Sequence, residues 1–294
     1  MATLAKNIDP KSELALKNIL FATDFSEPSM KAFPYASALA KKFGAAVFAC
    51  HVITPGSLVA VVPQVAPELY AVEHEAAAKE LDNILGSNQL KGLKAQARLT
   101  SGILGDAILD EIKQNNIDLV IAGTHGHTGF RRFLLGSGVE QICRVATCPV
   151  LTVGPDCPGA EVDFKHILIP TDLSEESMLV LPFAARLANA CSAKVTVLHV
   201  LPEETESNPD TKKLSEPVRA TMIRILGMQL AALKTDYMIE AGKTAETILK
   251  VAQEKNADLI AMGIRNAFMP GFQPRMSIAY RVIVAAHCAI LTCR

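Results

Sequence analysis

Apolar and polar positions fall into alternating blocks along the chain. A short apolar run at Asn18 to Ala22 leads to a helix-like stretch from Ser29 to Phe43. A second run from Ala46 to Val52 precedes another helical stretch from Glu73 to Leu85. Then come a more polar strand near Lys94 to Leu99, a helix from Asp106 to Gln114 and a buried-strand run from Asp118 to Ala122. A helix from Ser137 to Ala146 and a strand from Pro149 to Val153 complete the series. Short apolar runs separated by helical crossovers predict an α/β unit with a parallel sheet, here of five strands with helices on both faces. Ile53 to Leu69 contains Pro55, Gly56, Pro63 and Pro67 and is expected to form an ordered loop or lid.

The same series then recurs. Lys17 to Val52 aligns without gaps to Lys165 to Val200, with 17 of 36 positions identical. Further on, Asn116 to Gly123 matches Asn256 to Gly263, at a spacing eight residues shorter. So dense a match over two strands and a helix marks a tandem duplication. The second copy's middle, Pro202 to Leu214, is acidic and expected to be solvated. Gly154 to Glu161, rich in Pro and Gly, reads as the linker, which predicts domains at 1–156 and 157–294.

Composition narrows the class. Of 294 residues, 50% are apolar and 20% charged, with no Trp, which suits an aliphatic α/β core. A formal net charge of −1 provides no global field for a nucleic acid or an anionic membrane, so neither is expected as a partner. The seven cysteines are odd in number, show no CxxC spacing and sit mostly in apolar runs. Buried thiols in a reducing, cytoplasmic setting are therefore expected. The N-terminal stretch lacks a signal-peptide apolar region, and no uninterrupted 18-residue apolar segment occurs.

In open parallel sheets, ligands bind beyond the carboxyl ends of the strands where strand order reverses. The first strand brings Ala22, Thr23, Asp24, Phe25 and Ser26 there. Asp24 can accept hydrogen bonds from a ribose hydroxyl or an exocyclic amine, or it can simply cap the following helix. The fourth strand runs into a loop with glycines at both ends, from Gly123 through Gly126 and Gly129 to Gly136, Ser137 and Gly138. Glycines allow positive φ and close approach, and free N–H groups at a helix start favour an anion. This loop is a candidate phosphate cradle, although glycines also serve turns and packing. Arg131 and Arg132 either offset phosphate charge or are solvated. His125 and His127 form an H-x-H pair without a visible third ligand, so no metal site is expected.

The spacing G-x2-G-x9-G-[ST], read as Gly123, Gly126, Gly136 and Ser137 after Thr23-Asp24-Phe25-Ser26, resembles the ATP-binding type of universal stress protein. The strings His51-Val52 and Thr147 to Val153 also resemble that family, and the resemblance covers nearly the whole chain. It implies two tandem five-stranded domains of adenine nucleotide alpha hydrolase-like, Rossmann-like fold, paired through their last strands, Pro149 to Val153 against Ala289 to Cys293. It implies that Asp24 and Val52 hold adenine and ribose, with Ala22 and Thr23 alongside. Ala122, Gly123, Gly126, His127, Gly136, Ser137 and Gly138 would surround ribose and phosphates. ATP is the implied ligand, with Mg or Mn as its accompanying ion. Ala22 departs from the family's Pro, which the second copy keeps as Pro170.

The second copy keeps Thr171, Asp172, Ser174 and Gly263 but carries Asn266 and Met276 where the first has glycines, with Pro270 and Pro274 in the loop. Proline removes backbone donors and Met would crowd a phosphate, so no ATP is expected there. The favoured reading is a nucleotide-dependent stress-response or regulatory protein with an unidentified protein partner, able to form a homodimer of tandem chains. There is no Walker A lysine, no H-x-G-H string and no carboxylate pair in the loop, so slow ATP hydrolysis is the most enzymatic activity expected. The other readings are an interaction module of the same fold without nucleotide and an electron-transfer-flavoprotein-like domain. The full glycine spacing argues against the latter.

Overall fold

The apolar runs become strands because their β-branched and aliphatic residues fit a sheet covered on both faces. The computed structural model describes residues 14–54, 66–124, 135–159, 162–205, 211–264 and 277–294. The chain divides into two compact units, Leu16–Val162 and Asp163–Arg294.

The first unit runs β1 (Asn18–Ala22), α1 (Glu27–Met30), α2 (Phe33–Phe43), β2 (Ala46–Ile53), α3 (Ala66–Leu85), β3 (Ala95–Ser101), α4 (Leu104–Gln114), β4 (Leu119–Gly123), α5 (Ser137–Val145) and β5 (Val150–Val153). Its strands lie in the order β3-β2-β1-β4-β5, each pair parallel. Order reverses between β1 and β4, so a crevice is expected at their carboxyl ends. Ile19, Leu20 and Phe21 of β1 and Leu119, Val120 and Ile121 of β4 are buried in the core.

The expected helix from Ser29 to Phe43 is in fact two helices. Pro34 has no N–H to give the carbonyl of Met30 and its ring crowds that carbonyl, so a continuous helix is broken at Lys31 and Ala32 and α2 restarts with Pro34 in its first turn. The long helix α3 starts at Ala66, inside the stretch expected to be a loop. Pro67 stands at its second position, where a missing N–H costs little. Residues 55–65 lie outside the described residues. The expected linker packs on the end of α1 and the start of α2: Lys31 Nζ donates to Pro155 O (2.7 Å) and Tyr35 Oη to Pro158 O (2.9 Å).

The second unit runs β6 (His166–Pro170), α6 (Glu175–Met178), α7 (Leu181–Cys191), β7 (Lys194–Leu201), α8 (Thr211–Leu230), β8 (Thr235–Ala241), α9 (Thr244–Glu254), β9 (Leu259–Gly263), α10 (Ile278–Ala285) and β10 (Ala289–Cys293). Its parallel order, β8-β7-β6-β9-β10, repeats that of the first. The acidic stretch expected to be solvated holds a 3-10 turn at Glu203–Thr205 and the start of α8. Both copies keep one tie at the foot of the sheet. Asp118 Oδ2 accepts from the backbone N–H groups of Lys17 and Asn18 (2.8 and 2.9 Å), and Asp258 Oδ2 does the same for Lys165 and His166.

Candidate functional site

At the carboxyl end of β1 the chain makes a tight turn held by its own side chains. Thr23 N donates to Cys50 O (3.0 Å), carrying the β1–β2 pairing one residue further. Thr23 Oγ1 accepts from Phe25 N (2.9 Å) and lies 3.0 Å from Ser29 Oγ. Phe25 takes the left-handed conformation, φ 62°. Asp24 Oδ1 accepts from both Ser26 N (3.1 Å) and Ser26 Oγ (2.6 Å). The helix α1 is capped by Ser26, whose Oγ accepts from Ser29 N (3.3 Å). Asp24 is therefore not the cap; it braces the cap from behind, with its half-buried carboxylate at the cleft.

His51, at the end of β2, adds a second brace. Its Nδ1 lies 2.8 Å from Thr23 O, which can only accept, so Nδ1 carries the hydrogen. The ring packs on Phe25 with centroids 4.5 Å apart.

Beyond β4, Thr124 is buried, and its N–H donates to Val153 O (2.9 Å). Its carbonyl accepts from Gly136 N (2.9 Å), joining the two ends of the glycine loop. Gly126 and His127 of the expected site lie outside the described residues, as do His125, Arg131 and Arg132. Gly136 has φ −59° and ψ 139°, so neither positive φ nor a free N–H distinguishes it, contrary to expectation. It is instead the N-cap of α5 and supplies no capping side chain. The N–H groups of the first helical turn, which an α-helix cannot satisfy internally, start there.

Ala22, Thr23, Asp24, Val52, Ala122, Gly123, Gly136, Ser137 and Gly138 line one cleft of about 1120 Å³. Gly123 has another role beside it: a β-carbon there would stand 2.7 Å from Pro28 O and from Ser29 Cα, so the glycine lets α1 lie against the end of β4. Gly138 similarly faces Leu104 Cδ2, 3.2 Å from where its β-carbon would be. Sequence reasoning missed His51 as a brace, and also Ile53, Ile103, Leu104 and the α3 residues Glu73, Lys79 and Glu80, all lining the same cleft. The difference between the two copies at position 103 was the signal that could have found one of them.

The second unit repeats the first turn atom for atom. Asp172 Oδ1 accepts from Ser174 N and Ser174 Oγ, Thr171 Oγ1 lies 2.9 Å from Ser177 Oγ, and His199 Nδ1 donates to Thr171 O (2.9 Å). Partial burial pushes the Asp172 carboxyl up, but the hydrogen bonds from Ser174 and Ser177 outweigh this and hold it below the usual range. The copies part at the helix start. Ser277 is the N-cap of α10 and its Oγ accepts from Tyr280 N (3.1 Å), so one N–H of that first turn is taken up by the chain's own side chain. Asn266, Pro270, Pro274 and Met276 lie outside the described residues.

A 151-residue stretch, 51% of this chain, is 30% identical to a universal stress protein of Methanocaldococcus jannaschii and covers 89% of it. A universal stress protein of Bacillus subtilis is 30% identical over 145 residues, 46% of this chain and 97% of that one. The crystal structure of a universal stress protein from Archaeoglobus fulgidus superposes with a TM-score of 0.67, covering 96% of this chain and 99% of its own. At 21% identity, that likeness speaks for the fold alone. The sequence profile of the Universal stress protein family matches twice, over residues 15–154 and 163–294. With the same parallel strand order in each half, the chain belongs to the universal stress protein family and carries two of its domains in tandem.

Proposed function

We propose that the first unit binds ATP in the cleft between the ends of β1, β2 and β4 and that the protein is a nucleotide-dependent stress-response or regulatory protein. The observation that carries this reading is the contrast between helix starts. In the first unit the helix starts on Gly136, which has no side chain to cap it, at a cleft that also presents Asp24, whereas in the second the Ser277 hydroxyl takes up an N–H of the equivalent end. A helix N-terminus carries about half a positive charge, and its free N–H groups suit a phosphate. Asp24 and the strand end at Val52 are assigned to the nucleoside, and the first turn of α5 with the Ser137 hydroxyl to the phosphates. The glycine loop containing Gly126 and His127 belongs to the same proposal.

The described part of the cleft brings three carboxylates, Asp24, Glu73 and Glu80, against one ammonium, Lys79. A triphosphate placed there needs countercharge, which Mg or Mn bound to it would supply. The family resemblance and the buried thiols support a cytoplasmic setting, and no helix among the described residues is long and apolar enough to cross a membrane. A protein partner and a homodimer of tandem chains complete the proposal.

The test is to denature protein purified without added nucleotide, quantify released adenine nucleotides by mass spectrometry, and titrate the native protein with ATP by calorimetry. A stoichiometry of about one per chain supports a single working site; about two restores the second unit. No ATP in either assay sinks the nucleotide reading and leaves an interaction module of the same fold.

A further inference from the structure

Ile103 is out of place by local rules. It is the N-cap of α4, with φ −73° and ψ 122°, where Ser, Thr, Asp or Asn are favoured and Ile is among the poorest choices. Ile103 supplies no side-chain cap bond to that helix end, and it is 69% exposed. An apolar side chain left in water at a helix start is expected where function overrides local stability.

Its position is fixed by its neighbours. β3 pairs with β2 as far as Ser101 opposite Ile53, and Gly102 N donates to Ile53 O (3.0 Å). Gly102 then turns the chain at φ 131°, a conformation that favours glycine, and delivers Ile103 to the cleft beside the end of β2. Val52, Ile53, Leu104 and Ile108 line the same cleft.

The second copy provides the control. Gly242 makes the same turn at φ 141° and donates to Leu201 O (3.1 Å), yet the next residue is Lys243, paired with Glu203 at 3.8 Å. The turn is retained and Lys243 likewise supplies no side-chain cap to α9, so what differs is the apolar side chain, replaced by an ordinary solvated charge. The fold therefore does not require an isoleucine after this glycine.

We propose that Ile103 is a specificity residue of the nucleotide site, the apolar wall on which the flat face of the nucleobase packs. The inference rests on the proposed ATP site and places the base at the β2–β3 side of the cleft, opposite the phosphate end at α5. The ligand class is a nucleotide with a large flat base, a purine before a pyrimidine. Burying the exposed part of one isoleucine against a base is expected to strengthen binding about tenfold.

The test compares wild type, Ile103→Ser and Ile103→Leu by ATP titration calorimetry, with thermal unfolding of each protein free of nucleotide. Ile103→Ser supplies the missing cap, so its unfolding midpoint is expected to hold or rise while ATP binds about tenfold more weakly. Ile103→Leu keeps the apolar wall and is expected to stay within about twofold of wild type. Wild-type ATP affinity in Ile103→Ser overturns the proposal, as does an equal loss in both variants. No ATP binding by the wild type overturns the proposed function itself and is thereby told apart from failure of the Ile103 assignment.

Discussion

The Cα of Gly123 lies so near the Cα of Ser29 that a β-carbon added to the glycine would stand 2.7 Å from it. Backbone cannot yield as a flexible side chain can, so Gly123→Ala must displace α1. An overpacked core contact typically costs about 1–3 kcal/mol, and a loss of that size is expected by urea denaturation. Gly263→Ala should cost at least as much in the second unit, where the added carbon would overlap Glu176 O. Unchanged stability in both variants would remove the packing role.

That contact shows where sequence reading falls short. Strands, helices and the duplication are legible because burial imposes periodicity on the residues that form them, as in Ile19 to Phe21. The spacing places Gly123 in a ligand cradle, and the survival of Gly263 where other loop glycines are lost marks a packing requirement beside that role. The break before α2 follows from Pro34, a local effect that helical periodicity obscures. Asp24 and Ser26 could each have capped α1; which one does so depends on side-chain geometry that no spacing reveals. Ile103 has no periodic partner, and only its replacement by Lys243 in the other copy singles it out.

The helices α2 and α7 end alike, at Gly44 with φ 67° and at Ser192 with φ 53°, both left-handed. Serine pays for that conformation through its β-carbon, and glycine does not. Ser192→Gly is expected to stabilise the protein by about 1 kcal/mol, seen as a higher thermal midpoint. A lower midpoint would mean that the serine hydroxyl outweighs the backbone strain.

Arg98 and Glu111 form a two-pronged ion pair, with Nε–Oε2 at 2.7 Å and Nη2–Oε1 at 3.1 Å, and Asn115 Nδ2 also donates to Oε2 (2.8 Å). The hydrogen bond to Glu111 holds the Arg98 guanidinium even above its usual high value. The second copy has Met238 and Val251 at these places. Arg98→Met alone strands a buried carboxylate and is expected to cost about 2 kcal/mol or more, discounted because Arg98 is partly exposed. Adding Glu111→Val should recover most of that loss, a coupling that a double-mutant cycle measures. Additive losses would show that the pair is not coupled.

Burial pushes the thiols of Cys50 and Cys148 up to about 12 and that of Cys157 to about 11. An unfolded cysteine ionises near ~8.5, so above that pH the unfolded chain loses protons that the folded one keeps. The resulting stability is intact below pH ~8.5 and falls as pH rises towards these folded values. Iodoacetamide at pH 8 is expected to spare all three in the native protein and label them in urea, read by peptide mass spectrometry. Fast native labelling of Cys50 would contradict its burial.

Gly136 and Ser277 start equivalent helices in opposite ways, one without a side-chain cap and one with a hydroxyl on Tyr280 N. Ser277→Ala removes that bond and should destabilise the second unit by about 1 kcal/mol while leaving ATP stoichiometry unchanged. Gly136→Asp places a carboxylate where the phosphates are assigned. It can accept from the first-turn N–H groups and favourably meets the helix dipole, so stability should hold or rise by about 0.5 kcal/mol. The same carboxylate occupies those donors and repels the triphosphate, so ATP binding in calorimetry should vanish from a protein that is no less stable. Gly136→Asp that still binds ATP at wild-type strength would move the phosphates away from α5, and with them the contrast on which the asymmetry between the two units rests.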